Sequence, residues 1–96
     1  MIQYHEIESI LKLNKDFLHT RFKVTQIGVF GSYVQGEQTE RSDVDILVEF
    51  SEPIGWEYVD LKEYLEQILG KPVDLVTRKA LKRQLKDSIL EEVRMV

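Results

Sequence analysis

Three aspartates carry the chemistry that this sequence could do. Asp43 and Asp45 flank one valine in Asp43-Val44-Asp45-Ile46-Leu47-Val48-Glu49-Phe50, and Asp74 lies in Pro72-Val73-Asp74-Leu75-Val76-Thr77. Both runs read as strands. Residues two apart on a strand share a face, so Asp43 and Asp45 lean the same way with Cα atoms about 6.5 Å apart. Val44, Ile46 and Val48 point to the other face, toward helices. That apolar face explains the strand but not why aspartate occupies the opposite face twice. Neighbouring carboxylates repel unless a cation neutralises them or solvent screens them. Oxygen-only ligands suit Mg²⁺ or Mn²⁺, which bind through one or two carboxylates plus substrate phosphates. Asp74 alternates with Val73 and Leu75 in the same manner. If the third strand lies beside the second, the three carboxylates share one sheet face. They could then hold two ions about 3.5–4 Å apart, clamping the entering and leaving oxygens of an in-line phosphoryl displacement.

Gly31-Ser32, at the end of an earlier apolar run, supplies the other half. A glycine there lets backbone approach a ligand closely. N–H groups at the start of a helical turn attract phosphate oxygens, and the Ser32 hydroxyl adds a hydrogen bond. Taken singly, each feature has an ordinary explanation. Gly-Ser is a common turn, Ser42-Asp43 a cap, and one strand aspartate a solvated side chain. Their conjunction points to a nucleotide site.

The elements that must position these residues are legible in order. Ile7, Ile10, Leu11, Phe17 and Leu18 follow helical spacing and predict an amphipathic helix over about 5–21. His5 and His19 fall on or near its polar side, without the spacing of metal ligands. Val24 to Phe30 is a strand ending at Gly31. Tyr33 to Arg41 fits a short helical turn and a loop. The second strand, Asp43 to Phe50, is broken by Pro53 and Gly55. Leu61, Leu65, Ile68 and Leu69 predict a helix over about 56–69, stopped by Gly70 and Pro72. The third strand spans Pro72–Thr77. Leu81, Leu85, Ile89 and Val93 recur every four residues and suggest a helical tail with an interruption. The order α-β-(short α)-β-α-β-α predicts one α/β (α+β) domain over residues 1–96, a small mixed sheet flanked by helices.

Composition narrows the partners. The chain has 96 residues, a formal net charge of −4 and no cysteine. Disulfides, thiolate zinc sites and cysteine nucleophiles are thereby excluded. The acidic balance argues against bulk nucleic-acid binding, which needs a concentrated basic surface, although a bound cation can supply positive charge locally. The lysines and arginines of 78–86 read as a solvated face, since Asp87, Glu91 and Glu92 follow. No apolar run approaches a membrane span, and no signal-peptide h-region is visible. The expected location is the cytoplasm.

Gly31-Ser32, ten intervening residues, then Asp43-Val44-Asp45 resembles the signature of the DNA polymerase beta-type nucleotidyltransferase superfamily. The run GVFGSYVQGEQTERSDVDILVEF is similar to its minimal (MNT-domain) branch, and the likeness extends over nearly the whole chain. The resemblance implies a small palm-like mixed sheet. It implies that Asp43 and Asp45 bind Mg²⁺ and position the triphosphate, that Asp74 binds metal near the attacking hydroxyl and helps to activate it, and that Gly31 and Ser32 hold the outer phosphates. It also implies ATP as substrate, pyrophosphate as product and an antitoxin role. The expected partner is a HEPN-domain ribonuclease, modified by AMP on a tyrosine hydroxyl.

Two departures stand out. Many relatives carry arginine where this chain has Gln35, which can neither neutralise phosphate charge nor offer arginine's bidentate fork. The ending Arg94-Met95-Val96 replaces a tyrosine-containing one. Trp56 and Tyr58 could form a lid over a base, but packing at a helix start is the favoured reading. Tyr33 could touch nucleotide or pack. Alternatives to catalysis on a HEPN partner are an antitoxin that neutralises by binding alone, and a transferase for RNA or small-molecule acceptors. An open 96-residue palm also leads us to expect a second chain completing the site.

Overall fold

The computed structural model describes residues 2–96 and, except at position 84, their side chains. Helix α1 (Tyr4–Phe22) buries Ile7, Leu11, Leu18 and Phe22 along one stripe. At its start the Gln3 N–H donates to Glu6 Oε1 (3.2 Å), and it ends in a left-handed Lys23 (φ 64°). Phe17, expected on the buried stripe, is instead half exposed, its ring against Phe22 and Tyr64.

Strand β1 (Val24–Phe30) runs into the one-turn helix α2 (Ser32–Gln35), followed by a loop and β2 (Val44–Phe50). Helix α3 (Glu57–Leu69) buries Leu61, Leu65 and Leu69, and closes at Gly70 with φ 68°. Strand β3 (Val73–Thr77), a single 3₁₀ turn (Arg78–Ala80), α4 (Arg83–Glu92) and the two-residue β4 (Arg94–Met95) complete the chain. The expected helical tail is α4, which runs without a break after the 3₁₀ turn. Strand β4 was not expected.

The sheet order is β3-β2-β1-β4, with β2 and β3 parallel and the other pairs antiparallel. This is the expected small mixed sheet flanked by helices. One face, with Val44, Ile46, Val48, Val73 and Leu75, packs on α1 and α3 in a continuous core. The second strand was expected to begin at Asp43. It begins at Val44, whose N–H donates to Pro72 C=O (2.9 Å). The preceding loop is held by Ser42, whose hydroxyl accepts from the Thr39 N–H (2.9 Å), the capping role open to it from the sequence.

Candidate active site

The strand registers place the acidic residues. Phe30 of β1 pairs with Asp45 of β2, and Asp45 pairs with Asp74 of β3. Directly paired residues share a face, and neighbouring strands lie about 4.8 Å apart. The parallel β2–β3 pairing therefore sets Asp45 and Asp74 side by side. Asp43, one residue before β2, is exposed at the same end of the sheet, and its charge is felt at Asp45. Asp45 is half-buried and Asp74 exposed, so the row opens to solvent at β3.

The Asp45 carboxyl is pushed up to about 6 from an ordinary 3.8. Burial is the largest cause, followed by the charges of Asp74 and Asp43, a side-chain hydrogen bond with Asp74, and the charge of Glu92. A carboxylate crowded by like charges is one that a cation would relieve. Among the described residues, no three Asp, Glu, His or Cys side chains converge as a ready-made metal cage. The donor set nonetheless fits Mg²⁺, which takes one or two carboxylates and completes its shell with water and substrate phosphate.

Gly31 sits directly against this row. Its φ is +76°, and a Cβ built on it would fall inside the Asp45 carboxylate. Glycine is thus required twice at this position, once by the left-handed backbone and once by the contact. The Gly31 N–H donates to Glu92 Oε1 (2.9 Å), and Glu92 Oε2 accepts from Gln35 Nε2 (2.7 Å). One carboxylate from the end of α4 therefore joins both ends of α2. Sequence reasoning missed this role, taking Glu92 as a counterweight to the basic stretch before it. No local pattern marks it, because the contact joins residues 61 positions apart.

Behind the aspartate row, Met95, Gly28, Leu47 and Val76 form the next row across the four strands. Leu47 shares the aspartates' face yet is buried. It lines a cavity of about 180 Å³ together with Leu90, Val93 and Met95. The C-terminal tail thus covers the face around Leu47 and leaves the aspartate end open.

Tyr33 is buried in the core, 2 % exposed, so of its two possible roles it packs. Its hydroxyl has no partner among the described residues. Tyr58 donates its hydroxyl to the Leu75 carbonyl and packs at the start of α3. Burial and the nearby Asp74 charge raise its hydroxyl above the usual phenol value. Trp56 is 87 % exposed and covers nothing.

A family model described as the nucleotidyltransferase domain matches residues 11–96. The chain belongs to that family. The expected minimal nucleotidyltransferase resemblance and enzyme class are borne out by this membership. The chain is 52 % identical to protein adenylyltransferase MntA of Thermococcus cleftensis over 97 % of its own length and 95 % of the relative's. A solved structure described as a minimal nucleotidyltransferase is 34 % identical, with a TM-score of 0.73 over 94 % of this chain and 88 % of that one. A toxin–antitoxin crystal structure with AMP-PNP is 29 % identical, again with a TM-score of 0.73, over 93 % of this chain and 70 % of that one. Among the described residues of this nucleotidyltransferase-family chain, no helix is long and apolar enough to cross a membrane.

Proposed function

We propose that this chain is a single-domain, Mg²⁺-dependent protein adenylyltransferase. It moves AMP from ATP to a tyrosine hydroxyl of a HEPN-domain ribonuclease, releases pyrophosphate, and so acts as the cytoplasmic antitoxin of a pair. The observation that carries this reading is the Asp45–Asp74 pair on adjacent parallel strands, with the Gly31 backbone pressed against the Asp45 carboxylate. The name of the Thermococcus relative supports a protein acceptor. The AMP-PNP-bound toxin–antitoxin pair supports an adenine nucleotide and a toxin partner.

In this reading Asp43 and Asp45 would hold Mg²⁺ and the triphosphate, Asp74 would hold Mg²⁺ on the acceptor side, and Gly31 and Ser32 would hold the outer phosphates. Mg²⁺, when bound, would supply positive charge against the phosphates and the leaving oxygen. The phenolic oxygen forms a bond to the α-phosphorus, and the bond from that phosphorus to the pyrophosphate oxygen breaks. Asp74, exposed at the edge of the row, would help to activate the attacking hydroxyl by accepting the phenolic proton. The rest of the rate enhancement is alignment of the attacking and leaving oxygens. Because the row opens to solvent at β3, the partner completes the acceptor side of the site.

The test is incubation with α-labelled ATP and Mg²⁺, with and without the HEPN partner, followed by intact mass. The expected result is AMP added to the partner and lost in Asp43→Asn. A stable complex without mass gain would replace this reading with neutralisation by binding alone. Gln35 favours that second reading, because its side chain is neutral and engaged with Glu92.

A further inference from the structure

We infer that Glu92 is an internal competitor for the nucleotide: its carboxylate holds the Gly31 N–H in the free chain and must leave when phosphate arrives. The inference rests on the reading above, in which Gly31 serves the triphosphate. A single N–H makes one good hydrogen bond, and here it donates to Glu92 Oε1 at 2.9 Å. Carboxylate and phosphate oxygens are alike as anionic acceptors for such a donor, so they exclude each other at this amide. Glu92 also adds its charge to the repulsion at Asp45. Its other oxygen is held only by the neutral Gln35 amide, and among the described residues no cationic side chain pairs with it. The negative charge on Glu92 thus stands uncompensated beside the row that is to receive a polyanion.

The contact has a mechanical consequence. Glu92 ends α4 and is followed at once by the tail strand, where Gly28 pairs with Met95, Val29 with Arg94, and the Val96 N–H donates to Ile27 C=O (2.9 Å). Releasing the Glu92 carboxylate from Gly31 removes a tie between the α2 turn and the helix end that precedes this short strand. Nucleotide arrival is therefore coupled to loosening of the C-terminal tail.

The experiment is calorimetric titration of the full chain with Mg²⁺ and the non-hydrolysable α,β-methylene analogue of ATP, for wild type, Glu92→Ala and Glu92→Gln. Hydrogen exchange of residues 89–96 is followed in parallel. Glu92→Ala is expected to bind roughly three- to tenfold more tightly, since one charged hydrogen-bond competitor is removed. Glu92→Gln, which keeps the shape and loses the charge, falls between and decides the matter should the alanine variant fold poorly. Exchange in 89–96 should quicken when wild type binds the analogue. Unchanged or weaker binding in both variants would overturn the inference and make Glu92 a staple that positions the Gly31 turn. No binding by any of the three proteins would instead sink the nucleotide reading itself, and the inference with it.

Discussion

Asp45 and Asp74 stand opposite one another on adjacent parallel strands, one half-buried and the other exposed. The arrangement is unfavourable for the chain alone and favourable for a cation, so the same substitution should move stability and activity in opposite directions. The rise in Asp45 from 3.8 to about 6 corresponds to about 3 kcal/mol between its charge states before solvent screening. Solvent at the open end reduces this to about 1 kcal/mol. Asp45→Asn is therefore expected to raise the thermal midpoint without Mg²⁺ by a few degrees, while lowering AMP transfer at least about a hundredfold. A variant both less stable and still active would contradict the site.

The pH dependence follows from the same residue. Between about pH 4 and 6 the folded chain holds a proton on Asp45 that the unfolded chain has released. The Asp45 contribution is thus most favourable below the unfolded value and is lost as pH rises toward 6. Mg²⁺ takes the deprotonated carboxylate, so its affinity should climb over the same window. Thermal midpoints recorded from pH 4 to 7, with and without Mg²⁺, check both signs. The difference in slope between wild type and Asp45→Asn isolates this one group.

Gly31→Ala places a side chain at φ +76° and drives it into Asp45. Strain of this kind costs about 1–3 kcal/mol. Denaturant unfolding should register that loss, and the ATP-analogue affinity should fall with it. A silent Gly31→Ala would mean that the turn is loose in solution and that Asp45 does not rest on it.

Trp56 and Tyr58 separate in the structure, and their variants should separate too. Trp56→Ala, at a side chain 87 % exposed, is expected to change stability by less than about 0.5 kcal/mol and to leave nucleotide affinity unaltered. Tyr58→Phe loses the bond to the Leu75 carbonyl and should cost about 1 kcal/mol. A tenfold loss of analogue affinity in Trp56→Ala would restore the lid that its position after Pro53 and Gly55 allows.

Much of this was legible because α1, α3 and the three longer strands are long enough to show a period. Val44, Ile46 and Val48 against Asp45 is a clear alternation, and it placed the aspartates on the correct face. The alignment of Asp45 with Asp74 was not legible, since register depends on where α3 and Gly70 return the chain. The tail was misread for a related reason. Leu81, Leu85, Ile89 and Val93 suggest an interrupted helical tail reaching Val93, yet α4 is continuous, Leu85 is 54 % exposed and the helix ends at Glu92. A two-residue strand has no period to read. Nothing local marks Gly28 as its partner, or Glu92 as the residue that meets Gly31 across 61 positions.

Gly28 gives the last prediction. A Cβ there would meet Met95 Sδ at 2.7 Å, Val93 Cγ2 at 2.9 Å and the Arg94 carbonyl oxygen at 3.0 Å. The methionine end can swing away, but the carbonyl is backbone paired to β1 and cannot move without releasing β4. Gly28→Ala should therefore detach the tail, costing about 1–3 kcal/mol as overpacking does, and raise hydrogen exchange over 93–96. The aspartate row lies two register positions along and keeps its core-facing support from Val44 and Ile46. The freed tail carries Glu92 with it, so analogue affinity should rise in Gly28→Ala as in Glu92→Ala, from a substitution that touches neither Gly31 nor any aspartate. Faster exchange with no gain in affinity would show that α4 holds Glu92 in place without β4, and would confine the coupling to the helix.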